Sequence, residues 1–251
     1  MTSTDLDAVE ARAAAEGGAV KRAYVRRIFS EIAPSYDLLN HLLSFNIDKR
    51  WRTKAIRELE WTRAPDGTYL DLCAGTLDVG TQLTRERGFR GFVLGTDFAL
   101  PMLQAGEGKA PRTRLTPVNG DALELPYRDR SLDGAIVAFG IRNLADLPAG
   151  LREVRRVLKP GARFVILEFS TPRSGVVRGG YHAYFHHVLP WIGGIISGHK
   201  TAYTYLPQSV ANFPVQEELS RKMRDAGYVD VRYRDLTFGV AAVHVGTVPS
   251  E

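Results

Sequence analysis

The stretch YLDLCAGTLDVG, residues 69–80, decides the fold. Tyr69–Leu72 is a short apolar run of strand length, and Asp71 is the one charge within it. Gly75 ends the run, and TLDVGTQLTRER begins a helical segment. A buried strand, a glycine turn and a helix, in that order, is how chains surround a small ligand.

Downstream, strands and helices alternate. GFVLGTD is a second strand and LPMLQAGEGK the helix after it. RLTPVNGD is a third, weaker strand, and LDGAIVAFG a fourth that is buried on both faces. DLPAGLREVRRVLKPG is a helix. Leu147, Leu151, Val154 and Leu158 share its inner face, Asp146 caps its start, and Pro160-Gly161 ends it. ARFVILEFS is a fifth strand, continuously apolar as a central parallel strand is. The helix VQEELSRKMRDAG and the strands VDVRYRDL and GVAAVHVGTV close the chain. The pattern predicts an α/β fold: a doubly wound, mostly parallel, seven-stranded Rossmann-like sheet with an antiparallel edge hairpin.

Residues 1–20 are small and polar and read as a flexible N-terminal arm. Residues 21–251 read as a single domain. Within it, residues 21–66 form a helical cap, where Val25, Ile28, Phe29 and Ile32 follow helical spacing and Pro34 stops the helix. YDLLNHLLSF and DKRWRTKAIREL continue the cap. Residues 171–214 interrupt the alternation with a glycine- and aromatic-rich insertion after the fifth strand.

The chain is 44% hydrophobic and 24% charged, with a net charge of +5. A pI near 9.4 gives a mild preference for acidic surfaces. The basic residues are spread along the chain rather than blocked. A single cysteine, Cys73, excludes an internal disulfide and reads as a small buried side chain. There is no signal-peptide pattern and no run of about 18 apolar residues, so the expected location is the cytoplasm. HAYFHH puts His182 and His186 at helical spacing. No carboxylate or further histidine supports them, and no metal is expected.

Two ligand classes use such a glycine turn. A dinucleotide needs G-x-G-x-x-G so that pyrophosphate can approach the backbone. Here Leu77 and Asp78 stand between Gly75 and Gly80, and an aspartate repels phosphate. S-adenosylmethionine fits better, because its sulfonium and ammonium groups favour nearby carboxylates. Asp71 can accept from the ligand ammonium, Gly75 lets the backbone turn beneath it, and the helix start near Thr76 can face its carboxylate. Asp97 closes the second strand, where a carboxylate can hold ribose hydroxyls. Asp121 follows the third strand, with Ala122 leaving room for an adenine ring.

With LDLCAGTLD, GDALELPYRDRSLDGAIVAFGIRNLAD, LREVRRVLKPGARFVILEFSTP and LTFGVAAVHVG, the sequence resembles the class I methyltransferases. Within them it is similar to the quinone-ring C-methyltransferases of menaquinone and ubiquinone biosynthesis, over residues 21–247. FGIRN and GVAAVHVG are the segments specific to that family. The resemblance implies S-adenosylmethionine as cofactor, with Thr76, Asp97, Asp121 and Ala122 as contacts. The implied reaction is C-methylation of the ring of demethylmenaquinol to menaquinol, the last step of menaquinone biosynthesis. The alternatives are the equivalent ubiquinone step or a non-catalytic binding protein of the same fold. A nucleic-acid amino-methyltransferase is disfavoured, since FGIRN stands where its N/D-P-P-[Y/F/W] signature would be.

The family turn reads D-x-A-G-G-T-G-D, whereas this chain has Cys73, Ala74 and Leu77. Leu77 either reshapes the pocket floor or points into the helix–sheet interface. For the chemistry, Arg142 and Asn143 follow the fourth strand, where a guanidinium would stabilise a phenolate. An ion pair with Asp146 is the structural alternative for Arg142. Tyr36 and Asp37 of the cap can close over the substrate. The proton acceptor is a water or one of His182, His186, His187 and His244. A polyprenylated quinol is the expected partner. The aromatic residues of 181–206, beside Arg178 and Lys200, suit a lid and a peripheral contact at the inner face of the membrane. A homodimer is compatible with the resemblance, and nucleic acid is not expected.

Overall fold

A computed structural model describes residues 18–33, 46–172, 174–175, 179, 205 and 208–250. Helix α1 spans Gly18–Ile32 and so begins inside the expected arm. Its first residue is held: Gly18 N donates to Ala145 O at 3.3 Å. Val25, Ile28 and Ile32 are buried, as their spacing predicted. Pro34, the segment YDLLNHLLSF and most of the 171–214 insertion lie outside the described residues. Helix α2, Ile47–Glu58, buries Trp51, Ala55 and Ile56. Lys49, Arg50, Lys54 and Arg57 are exposed on its other side.

The alternating part follows as β1 (Thr68–Leu72), α3 (Asp78–Thr84), β2 (Phe92–Asp97), α4 (Leu100–Gly106), β3 (Leu115–Asn119), β4 (Leu132–Ala138), α5 (Leu147–Val157) and β5 (Leu158–Phe169). Helix α6 (Gln216–Asp225), β6 (Val229–Leu236) and β7 (Ala241–Thr247) complete it. The seven strands lie in the order β3-β2-β1-β4-β5-β7-β6. β1 pairs in parallel with both β2 and β4, and β7 runs antiparallel to β5 and β6. The doubly wound sheet and its edge hairpin are therefore as the sequence predicts.

One boundary differs. α5 ends at Val157, and Leu158 already pairs with Leu132 on β4. Pro160-Gly161 sits in an irregularity of β5, between that pair and the pairing of Gly134 with Arg163. A residue before proline is pushed out of the helical region, which carries the chain into the strand early. Asp146 does cap α5, accepting from Ala149 N at 2.9 Å.

The sheet separates two apolar layers. Tyr69 and Ile136 face α2 and α3, whereas Leu70, Leu72 and Val137 face α5 and α6. Each fully buried Leu or Val contributes about 2 kcal/mol. The strand order reverses between β2-β1 and β1-β4, which opens a crevice at the carboxyl ends of β1 and β4.

Candidate active site

The glycine turn is shaped by alternation along β1. Asp71 shares a sheet face with Tyr69, so it points beneath α3. There its Oδ2 accepts from Gly80 N at 2.8 Å. Burial pushes the Asp71 carboxyl up to about 7. It does not line the crevice, and neither does the buried Thr76. Asp71 Oδ2 is thus engaged in a bond that holds the turn. Leu77 adopts φ +65° at the start of α3, the conformation that favours glycine. Its side chain is 2% exposed and packs among Leu83, Val93, Leu103 and Leu115. A Cβ on Gly95 would collide with Leu77 Cδ2, so the strand opposite is a glycine. Of the two readings of Leu77, the interface reading is the correct one.

The crevice spans about 700 Å³, counting the space open to solvent at its mouth. Gly75, Asp97, Asp121, Ala122 and Asn143 all line it, together with Cys73, Phe98 and Met102. Asp97 Oδ2 accepts from Gly75 N at 2.9 Å and Oδ1 from Ala99 N at 2.8 Å. Burial raises its carboxyl, and these amide donors offset part of that rise. Asp121 Oδ1 accepts from Leu123 N at 2.9 Å, and its Oδ2 lies 2.5 Å from Arg22 Nη2. Desolvation, reinforced by the surrounding carboxylates, pushes the Cys73 thiol well up. It stays protonated, in keeping with a packing role.

Among the wall residues not assigned from sequence, three precede the sheet in the chain. Arg22, Val25 and Phe29 come from α1, which lies across the crevice. The apolar spacing of Val25 and Phe29 marked a covered face but not what it covers. Arg22 carried no sequence signal.

Arg142 is placed differently from expectation. It lies in a 3-10 turn, Ile141–Asn143, and is buried. Nη1 donates to Glu168 Oε1 at 2.8 Å and to Phe139 O, and Nε donates to Ser209 Oγ at 3.3 Å. Glu168, not Asp146, is therefore its partner, and Arg142 lies behind the crevice lining rather than in it. β5 brings Glu168 to that spot, which chain separation hid. Burial raises the Glu168 carboxyl, and Arg142 opposes the rise. Lys21 of α1 donates to Arg142 O at 2.8 Å. Asn143 does face the crevice, and its Oδ1 accepts from Tyr205 OH at 3.2 Å. The Tyr205 ring packs edge-on against Tyr24 of α1, with centroids 5.5 Å apart.

His244 is excluded as proton acceptor by its position. It is buried on β7, bonded to Gln216 O at 3.0 Å and stacked on Tyr233. Tyr36, Asp37, His182, His186, His187, Arg178 and Lys200 lie outside the described residues.

A sheet of this order, with carboxylates at successive strand ends around one crevice, defines the class I S-adenosylmethionine-dependent methyltransferase fold. Solved structures agree. A chain of the complex between the Haloferax volcanii Trm112 methyltransferase activator and a methyltransferase superposes with TM-score 0.64 at 17% identity, covering 88% of this chain and 97% of that one. A Thermotoga maritima SAM-dependent methyltransferase gives TM-score 0.60 at 18% identity, over 88% and 98%.

The chain belongs to the ubiE/COQ5 methyltransferase family, whose sequence model matches residues 18–248. It is 49% identical to the demethylmenaquinone methyltransferase of Thermus thermophilus, over 88% of this chain and all of that one. It is 46% identical to the protein of the same name from Deinococcus radiodurans, over 88% and 91%. Identity is 43% to the ubiquinone/menaquinone biosynthesis C-methyltransferase UbiE of Geobacter sulfurreducens, over 88% and 87%.

Proposed function

We propose that the protein is an S-adenosylmethionine-dependent C-methyltransferase that converts demethylmenaquinol to menaquinol. The observation that carries this reading is the crevice itself, where Asp97, Asp121 and Asn143 converge at the switch point of the sheet. The names of the relatives supply the quinone ring.

The residues fit the cofactor. Two carboxylates at the strand ends suit a cationic ligand with hydroxyl and amino donors. Ala122, Phe98 and Met102 offer apolar walls for an adenine ring. Asp97 is the ribose partner, Asp121 the partner of the adenine amino group, and Gly75 the backbone beneath the amino acid end. Asp71 and Thr76 serve by holding the turn. When bound, S-adenosylmethionine supplies an electrophilic methyl group.

The chain must then make a ring carbon nucleophilic. A phenolic hydroxyl has a pKa of about 10, and its anion pushes electron density onto the neighbouring carbon. Asn143 touches that oxygen. With Oδ1 engaged by Tyr205, the amide N–H is the donor left for it. Arg142 lies behind Asn143, fixes the 3-10 turn and contributes a positive field. Alignment of the carbon with the methyl group contributes several kcal/mol, with about 7–11 as the upper range.

The equivalent benzoquinol methylation of ubiquinone synthesis is the second reading, favoured by the name of the Geobacter relative. A non-catalytic binding protein loses its support, because Leu77 points into the core. Titration with S-adenosylmethionine and radiolabelled methyl transfer to reduced demethylmenaquinone test the proposal. Saturable binding and a methylated naphthoquinol are expected. No transfer to the naphthoquinol, with transfer to the benzoquinol analogue, would replace the first reading by the second.

A further inference from the structure

The tip of the β6–β7 hairpin is unusual in one respect: Phe238 is 82% exposed. Thr237, Phe238 and Gly239 have φ of +44°, +57° and +89°. Three successive residues in the left-handed region are a strained arrangement outside glycine, and here they hold an aromatic ring out into solvent. The turn is anchored from behind, since Trp51 Nε1 donates to Thr237 Oγ1 at 2.9 Å.

Trp51 belongs to α2, and the rest of that helix extends the surface. Glu58 at its far end is bonded to Arg232 of β6 at 2.7 Å. The helix is thus tied to the hairpin at Trp51 and at Glu58. Its two acids are engaged in those ties and in the fold: Glu58 with Arg232 and Arg234, and Asp48 with Arg52. Its exposed side carries Lys49, Arg50, Lys54 and Arg57. Arg50, Lys54 and Arg57 follow i, i+4, i+7 spacing and form one cationic stripe. Among the described residues no carboxylate pairs with them.

This surface meets the crevice edge. Ala241, which starts β7, pairs with Phe169 at the carboxyl end of β5. Phe169 packs on Phe139, with ring centroids 4.7 Å apart, and Phe139 lines the crevice. The exposed aromatic tip and the start of the cationic helix therefore lie on the side of the sheet where the site opens.

We propose that Phe238 and the cationic side of α2 form a docking edge for an anionic lipid bilayer. Basic side chains beside a protruding aromatic are the chemistry of an interfacial anchor: the cations meet lipid headgroup phosphates and the ring enters the acyl boundary. The choice of a membrane as partner rests on the quinol reading, because a polyprenyl tail resides in a bilayer. The surface itself does not depend on that reading.

Flotation of the full chain with phosphatidylcholine vesicles, with and without phosphatidylglycerol, tests the proposal. Binding is expected only with phosphatidylglycerol and is expected to fall steeply with salt. Lys54→Gln with Arg57→Gln should weaken it about 25-fold, at about fivefold per removed basic residue. Phe238→Ser should weaken it about tenfold. All variants should keep wild-type methyl transfer to a short-tailed, water-soluble demethylated quinol, which separates docking from folding. Equal or absent binding to the two vesicle types, or variants that bind like wild type, would overturn the proposal. So would a loss in the variants of self-association rather than of vesicle binding. Absence of methyl transfer by the wild-type protein would instead strike the quinol reading and leave the vesicle result standing.

Discussion

Arg142 Nη1 and Glu168 Oε1 are 2.8 Å apart, with side-chain exposures of only 6% and 2%. The pair joins the turn after β4 to the end of β5, just behind the crevice. Such a pair is costly to break and inexpensive to replace whole, since removal of one partner strands the other charge in the interior. Arg142→Ala is expected to lose about 3 kcal/mol of unfolding free energy. The double variant Arg142→Met with Glu168→Leu should recover most of it in urea denaturation. Methyl transfer should stay low in both. Full activity in the double variant would remove Arg142 from the mechanism.

Leu77→Gly sets two effects against each other. Glycine relieves the cost of φ +65°, about 1–2 kcal/mol. It also deletes a buried leucine, which costs about 2–5 kcal/mol through lost burial and the cavity left behind. The second effect wins, and a net loss of about 2 kcal/mol is expected by thermal or urea unfolding. Affinity for S-adenosylmethionine should stay within about twofold, because the side chain faces Leu115 and Gly95 rather than the crevice.

Asp97→Ala should act on binding. The carboxylate accepts from the amides of Gly75 and Ala99, and loss of an acceptor leaves each buried donor at a cost of about 1–3 kcal/mol. The turn loosens and the ribose partner is lost. Calorimetric titration should give an S-adenosylmethionine affinity at least about tenfold weaker. Unchanged affinity would place the cofactor elsewhere.

His244 makes stability fall in acid. Burial holds its folded-state pKa down at about 4, against 6.5 for the free side chain. The imidazole is neutral in the fold, so its contribution is present above pH 6.5 and is lost as pH falls through about 4. The size is on the order of 3 kcal/mol. His244→Gln, which can still donate to Gln216 O, should flatten this part of the pH–stability curve. A curve parallel to wild type would refute the assignment.

Asp71 works in the opposite sense. Its folded pKa is raised to about 7, so the protonated form is favoured and its contribution is present below pH 3.8. That contribution is lost as pH rises towards 7. Asp71→Asn is uncharged throughout, and its stability relative to wild type should rise between pH 4 and 7. A difference independent of pH would show that the carboxyl ionises normally.

The strands, the edge hairpin, the cap of α5 and the crevice residues Gly75, Asp97, Asp121, Ala122 and Asn143 were legible in the sequence. Each rests on a local signal: an apolar run, a cap, or a strand end in a parallel sheet. The end of α5 was misplaced because the bias before Pro160 competes with helical periodicity, and the strand won. Arg142 was read against Asp146 because its partner Glu168 lies 26 residues on, whereas Asp71 is turned from the crevice lining by the packing of α3 on the sheet. Asp71 meets Gly80 through the alternation of β1, and Arg142 meets Glu168 from a neighbouring strand.

The chain order of apolar runs and turn residues by itself determined a doubly wound sheet with an acid-edged crevice, because periodicity and punctuation act within a few residues. Only tertiary structure decided which charges are engaged and which are free. Arg142 was turned into the interior by Glu168 of a neighbouring strand, Asp71 and Leu77 by the packing of α3 on the sheet, and the β6–β7 tip was brought against the basic helix α2. Burial and pairing depend on what the fold brings within a few ångströms, and neighbours along the chain do not specify that.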